Sequence, residues 1–283
     1  MKIGFIGMGN MARAIAKGFV AAGAVNGEDL FAYAPHYDKL AAFAEPLHIH
    51  ACRSAEEILS AADMIVMAVK PYVVEGVLRE QYDRLAGKAI LSVVAGYTLE
   101  KYRPLLPETA RVQYVMPNTP CMVGAGMMLF EEANTLTEAE HAEALRLFQT
   151  LGETEILPTH LMDAATAISG CGPAFVAMMI EALADAGVKY GLTRPAAYRL
   201  ASQTALGTGR MQLETGMIPA AIKDGVCSPG GTTIRGVEAL DALSDHLTLE
   251  NRGIQLNRSG EAVFLSIQRG KRRGAPLDPL QGH

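Results

Sequence analysis

Two short segments carry residue types and spacing suited to holding anions. The first, Gly7-Met8-Gly9-Asn10-Met11-Ala12, follows an apolar run and opens a segment of helical period. That context gives a GxGxxA pattern its meaning. Gly7 permits the tight turn, Gly9 lets a diphosphate approach the backbone, and Ala12 allows close helix packing while the helix N-terminus faces the anion. The implied chemistry is the binding of a dinucleotide. The second, Ser228-Pro229-Gly230-Gly231-Thr232-Thr233, is a Gly-containing turn that enters a helix at about Thr232, with hydroxyls beside unpaired backbone N–H groups. Such a turn binds an anion. Ser228 and Thr232 equally suit ordinary N-caps, and the turn alone leaves that choice open.

Dinucleotide choice is read where the second strand ends, because an acid there would hydrogen-bond the ribose diol of NAD. The strand ends Tyr33-Ala34-Pro35-His36; Glu28 and Asp29 precede it and Asp38 comes late. With no acid in place, NADPH is expected in preference to NADH, although no Arg supplies an obvious clamp for a 2′-phosphate.

These segments need a scaffold. From Lys2 to about Leu157, short apolar runs alternate with longer stretches of helical period, the signature of βαβ units and a parallel sheet. Expected strands are 3–6, 30–33, 48–51, 64–69, 89–93, 112–115, 126–130 and 154–157. Expected helices include 11–22, 37–45, 55–60 and 137–151, the last opened by the capping-box pair Thr137 and Glu140. After Pro158 the chain turns Ala-rich and Met-rich, with Gly/Pro punctuation and few β-branched runs. A second, helical domain is therefore expected over 159–283, after a dinucleotide-binding domain over 1–158. Its helices at about 174–186 and 196–212 carry too little charge for a solvated surface and should bury against a partner subunit. The tail from Gly270, with Lys271, Arg272 and Arg273, is expected to fray.

The 283 residues are 49% hydrophobic and 19% charged, enough to bury a core and to form two domains. A net charge of -5 argues against a surface built for nucleic acid. Gly4, Gly7, Gly9, Arg13 and Lys17 interrupt the apolar start, which reads as strand, turn and helix rather than a leader. No stretch of about 18 residues lacks charge or Gly/Pro punctuation, so no membrane span is expected. Cys52, Cys121, Cys171 and Cys227 form no CxxC pair and suit reduced thiols in a cytoplasmic protein. His48 and His50 would share a strand face, but two ligands without a third make no metal site.

Three more segments join the two anion motifs, Ala68-Val69-Lys70-Pro71, Met116-Pro117-Asn118-Thr119-Pro120 and Ser169-Gly170-Cys171-Gly172-Pro173-Ala174-Phe175, and the SPGGTT turn extends to a motif over Asp224 to Ile234. In this order they resemble pyrroline-5-carboxylate reductases, from Lys2 to about Ile267. The resemblance implies an N-terminal doubly wound Rossmann domain followed by a smaller all-α dimerisation domain. It also implies NAD(P)H-dependent reduction of the C=N bond of 1-pyrroline-5-carboxylate to L-proline, in a homodimer or an oligomer of dimers. By the same resemblance the Ser228 hydroxyl and the Gly230, Gly231 and Thr232 amides hold the substrate carboxylate, and Thr233 hydrogen-bonds the ring nitrogen as the catalytic contact. The cofactor would lie on Gly7, Gly9, Asn10, Met11, Ala34, Pro35 and His36, with its nicotinamide across Val69, Lys70, Pro71, Ala95 and Gly96, and with Asn118 and Thr119 on the floor. Cys171 stands where Ser is usual in the family, and Ser54 where an adenosine-contacting Asn is often found.

Two rivals belong beside this reading. A β-hydroxyacid dehydrogenase shares the two-domain layout but needs a catalytic Lys, and the corresponding position here is Val176. A non-catalytic paralogue that binds NADP(H) as a sensor would not need the intact SPGGTT segment.

Overall fold

The computed structural model describes residues 1–244 and the strand pair 255–256 and 262–263, with side chains described through residue 239. The expectation of a frayed tail from Gly270 lies outside the described residues. The chain divides into two compact units, the first Met1–Gly207 and the second beginning at Thr208.

The first unit is built on an eight-stranded sheet. Its strands are β1 (Ile3–Ile6), β2 (Leu30–Tyr33), β3 (His50–Cys52), β4 (Met64–Met67), β5 (Ala89–Ser92), β6 (Arg111–Met116), β7 (Gly126–Glu131) and β8 (Gly152–Leu157). They lie in the order β3-β2-β1-β4-β5-β6-β7-β8, and every neighbouring pair is parallel except β6 and β7. Between the strands run α1 (Asn10–Ala21), α2 (Tyr37–Ala44), α3 (Ala55–Ala61), α4 (Pro71–Glu80), the single turn α5 (Leu99–Tyr102) and α6 (Glu138–Gln149). Chain order reverses direction across the sheet between β1 and β4, the switch point at which open α/β sheets leave a crevice for ligands.

The apolar runs explain the sheet's position. β1, β4 and β5 are buried at every residue, as strands covered on both faces must be. Alternate residues feed two separate cores. Ile3, Phe5, Met64 and Val66 pack on one face with Ile15 and Phe19 of α1 and Phe148 of α6. Ile6, Ile65 and Met67 pack on the other with Ile58, Val74, Leu78 and Tyr102. Phe148 meets Phe19 and Phe130 edge-on at 5.7 Å each, which locks α1 and α6 to the sheet.

The capping box at α6 forms as the sequence indicates, with Thr137 accepting from the Glu140 amide and Glu140 accepting from the Thr137 amide. Glu140 also takes both arms of Arg111 at 2.8 and 2.7 Å, which holds its carboxyl down at about 2. A depressed carboxyl stabilises the fold above its unfolded value, near 4.5, and loses that contribution as pH falls towards about 2. Glu140→Gln should therefore cost about 1–2 kcal/mol at pH 7, discounted for partial exposure. In urea melts the gap to the parent should close between pH 4.5 and pH 2.

Three expectations need correction. His48 is not in a strand: it ends a short 3-10 turn in the left-handed region, with φ 55°, and β3 starts at His50. The two histidines therefore share no strand face, and no metal-ligand cluster occurs among the described residues. The strand expected to run to Val69 stops at Met67, and Pro71 opens α4, because Pro preset for a helix sits well at its first position. The change from sheet to helix does fall at Leu157–Thr159, but compact packing continues past it, since Met162 buries against Tyr114 and Leu129.

Helices α7 (Met162–Ser169), α8 (Gly172–Lys189) and the first part of α9 (Arg194–Thr215) complete the first unit. The second unit holds the rest of α9, α10 (Pro219–Val226) and α11 (Thr232–Ser244). The stretch Thr159–Lys189 contains an 18-residue window with a mean hydropathy of 1.6, apolar and long enough to cross a membrane by composition, and only 6% of that window is buried. Glycines 170 and 172 and Pro173 break it between α7 and α8, and Phe175, Val176, Met178, Met179 and Leu183 of α8 are exposed. Such a continuous apolar face marks a contact surface.

Candidate functional site

A cleft of about 740 Å³ opens at the C-terminal ends of β1, β2, β4, β5 and β6, across the switch point. Its walls are the turns that follow those strands. The Gly7 amide donates to the Tyr33 carbonyl at 2.9 Å, tying the first turn to the end of β2. Gly7 has φ +96°, and a Cβ there would lie 2.7 Å from the Ala68 carbonyl oxygen, so only glycine fits. Gly9 differs: its backbone is extended, it caps α1 without a side-chain bond, and nothing lies within 4 Å of where its Cβ would be. Open space in front of a bare helix N-terminus is the shape a diphosphate requires.

Eleven of the thirteen residues expected to touch the cofactor line this one cleft: Gly7, Gly9, Asn10, Met11, Ala34, Pro35, His36, Val69, Lys70, Pro71 and Ala95. Gly96 and Asn118 do not. Asn118 is buried, and both ends of its amide are engaged. Its oxygen accepts from the Met127 amide and its nitrogen donates to the Ser169 carbonyl, both at 2.9 Å. It ties the turn after β6 to the end of α7, while its neighbours Met116, Pro117 and Thr119 face the cleft. Gly96 lies behind Ala95, held by the Tyr114 hydroxyl, which accepts from its amide at 3.0 Å, and by Lys101, which donates to its carbonyl. Burial pushes the Tyr114 phenol upward, so it stays a neutral hydroxyl.

Sequence reading missed two cations. Arg13, half-buried on the first turn of α1, and Lys39, exposed on α2, both line the cleft beside His36. The Arg13 guanidinium lies over the Phe43 ring, 4.9 Å from its centroid, and donates through Nε to the Met8 carbonyl at 3.2 Å. The corner after β2 offers no Arg, whereas this guanidinium arrives from α1. Its only sequence signal is its place three residues into the helix that the glycines open. Ser54, the departure from the family's usual Asn, caps α3 by accepting from the Glu57 amide at 3.2 Å.

In the second unit, α10 ends at Val226 and the chain turns through Ser228–Gly231 into α11. Gly230 has φ +68°, which the turn demands. The Gly231 amide donates to the Ser228 carbonyl at 3.0 Å. It is thus engaged inside the turn rather than free for an anion, which corrects its expected role. Among the described residues no such turn bond engages the Gly230 or Thr232 amides, as is usual at helix N-termini. Ser228 is exposed and Thr233 half-buried.

Comparison with known proteins agrees with this layout. Residues 159–248 match the family model described as pyrroline-5-carboxylate reductase dimerisation, and residues 2–96 match one described as NADP oxidoreductase, coenzyme F420-dependent. The pyrroline-5-carboxylate reductase of Treponema pallidum is 42% identical over 245 residues, covering 85% of this chain and 93% of that protein. The Escherichia coli enzyme of the same name is 41% identical over 241 residues, covering 85% and 90%. Among solved structures, the Plasmodium falciparum pyrroline carboxylate reductase with NADP bound superposes with a TM-score of 0.79 at 33% identity, covering 87% of this chain and 91% of that one. With identity at this level over nearly the whole of its relatives, and with the dinucleotide cleft and the SPGGTT turn both in place, the chain belongs to the pyrroline-5-carboxylate reductase family.

Proposed function

We propose that the chain reduces the C=N bond of 1-pyrroline-5-carboxylate to give L-proline, the last step of proline biosynthesis, with NADPH as the preferred donor. The observation that carries this reading is the open N-terminus of α1 at the switch-point cleft in a chain 42% identical to a reductase of that name. When bound, the dihydronicotinamide supplies a hydride to the ring carbon. The chain's own residues bind and orient. The first-turn amides of α1 hold the diphosphate, Arg13 and Lys39 hold the 2′-phosphate, and Ala95 with the Val69–Pro71 turn borders the nicotinamide half. The Ser228 hydroxyl with the Gly230 and Thr232 amides holds the substrate carboxylate, and the Thr233 hydroxyl meets the ring nitrogen.

A general acid is not needed, because the imine nitrogen already carries a proton near neutral pH and keeps it as the amine forms. What remains is orientation and charge matching. Lys70, exposed at the N-cap of α4, contacts cofactor rather than acting as a base.

The direct test mixes purified protein, NADPH and pyrroline-5-carboxylate and follows absorbance of the reduced cofactor. Tight NADPH binding without imine-dependent oxidation would mark a non-catalytic paralogue. Parity of catalytic efficiency between NADPH and NADH would overturn the donor preference. Thr233→Ala should lower kcat/KM about tenfold, the worth of one hydrogen bond to a charged group. Full turnover in that variant would remove Thr233 from the mechanism.

The helical module from residue 159 onward is where a second copy should dock. The exposed apolar side chains of α8 fall inside the span matched by the dimerisation model, and covering them across a twofold makes a dimer the minimum working unit. A fully active monomer in sedimentation would contradict this. Free thiols at all four cysteines, two of them buried, favour a cytoplasmic location.

A further inference from the structure

We infer that Glu131 is a positioning residue for hydride transfer: its carboxylate ties the segment 95–99, whose first residue, Ala95, borders the nicotinamide half of the cleft, to Thr159 at the start of the helical module. The inference rests on the reading of the cleft as the NADPH seat.

Glu131 ends β7 and is fully buried. A carboxylate in such a place is costly unless its oxygens find donors. Both do, and they reach different segments. One oxygen accepts from the Leu99 amide at 2.9 Å, and the other from the Thr159 hydroxyl at 2.7 Å. Leu99 opens the single turn α5; the Thr98 carbonyl takes the Lys101 and Tyr102 amides, and the Leu99 amide, at the first position, needs a partner from outside the helix. Thr159 is the second residue after β8. A side chain serving only to fill space here would be apolar.

The segment held this way begins at Ala95, on the cleft wall. Its next residue, Gly96, is fixed at both backbone groups by Tyr114 and Lys101. On the far side of α5, the Tyr102 hydroxyl meets Ser92 of β5 at 2.8 Å within the core. Glu131 is itself anchored, since Gln113 donates to its backbone carbonyl at 2.8 Å. The bed of the nicotinamide is thus set by side chains from β5, β6 and β7 that never enter the cleft. Diphosphate and adenosine contacts lie apart, on the turns after β1 and β2. Loosening the bed should therefore disturb ring orientation while leaving affinity nearly untouched. Near-attack geometry is steeply sensitive to displacements of this kind.

The experiment uses the full chain. Glu131→Leu removes both hydrogen bonds at similar volume. Glu131→Gln keeps both, because its carbonyl accepts from Leu99 while its amide donates to the Thr159 hydroxyl, which can turn to accept. NADPH emission in the binary complex, with no imine present, reports the surroundings of the nicotinamide independently of turnover. For Glu131→Leu we expect altered emission, a cofactor Kd within about threefold of the parent, and kcat per folded site about tenfold lower. A larger isotope effect with 4-deuterated cofactor should accompany it. Glu131→Gln should recover kcat to within about threefold of the parent. If Glu131→Leu does not fold, Thr159→Val, which removes one of the two hydrogen bonds to the carboxylate at similar volume, decides: altered emission with unchanged Kd supports the inference and parental emission overturns it.

Parental emission and kcat in folded Glu131→Leu would overturn it, as would a Glu131→Gln enzyme as impaired as Glu131→Leu. A parent that binds NADPH but does not oxidise it with pyrroline-5-carboxylate sinks the substrate reading alone, and the emission test still decides the role of Glu131. A parent that binds no NADPH overturns both.

Discussion

Gly9→Leu should abolish useful NADPH binding while leaving the fold intact, raising the cofactor Kd at least about a hundredfold. Nothing lies within 4 Å of the new Cβ, and the backbone there, at φ -78° and ψ -172°, suits any residue. The side chain then projects into the cleft that Gly9 lines, where the diphosphate must approach the first-turn amides of α1. Losing two charge-assisted hydrogen bonds at about 1.5–3 kcal/mol each gives about 3–6 kcal/mol, a factor of a hundred or more in affinity. Gly7→Ala should behave the opposite way. Its Cβ would sit 2.7 Å from a backbone oxygen with φ at +96°, so the thermal midpoint should drop first. Cofactor-fluorescence titration and circular-dichroism melts on the two variants separate binding from folding. A Gly9→Leu protein with parental Kd would show that the diphosphate does not sit on this helix.

The contrast between these two glycines marks what could be read from the sequence. Gly7 and Gly9 announce their roles because spacing, preceding strand and following helix all act within about ten residues. The same locality made β1 and β2 legible to the residue and gave α6 its capping pair. Where roles depend on which strand lies beside which, the signal disappears. Arg13 shares the cleft wall with the corner after β2 only because β1 and β2 are neighbours, a fact about sheet order that no local pattern holds. Asn118 sits in a motif that suggests ligand contact, yet its amide bridges Met127 and Ser169, and Ser169 is 51 residues away. Glu131 is an acid at the end of an apolar run, which in sequence reads as the first surface residue. It is buried because β7 lies between β6 and β8, where Glu131 pairs with Leu157 and meets Gln113, Leu99 and Thr159. The family resemblance puts the Gly231 amide on the substrate carboxylate, whereas in this turn it closes on the Ser228 carbonyl. His48 failed for the reason that alternation is a weak strand signal when one residue takes a left-handed backbone.

Removing the two cations of the cleft should convert a preference for NADPH into near parity between NADPH and NADH. Arg13→Met keeps the aliphatic stem on Phe43 and deletes the guanidinium, while Lys39→Ala removes the exposed ammonium. Each contact to a phosphate dianion is worth about 1.5–3 kcal/mol when the groups are partly shielded, or about 10- to 100-fold in kcat/KM. Arg13 should account for the larger share, because it is half-buried and oriented by its bond to the Met8 carbonyl, whereas exposed Lys39 is screened by salt. The double variant should then lose about a hundredfold or more with NADPH and less than about threefold with NADH. Steady-state kinetics with both donors at low and high ionic strength give the answer. The Lys39 share should shrink with salt and the Arg13 share should persist. Equal losses with both donors would mean that these cations serve the diphosphate or the fold, and that selectivity for the 2′-phosphate comes from elsewhere in the chain.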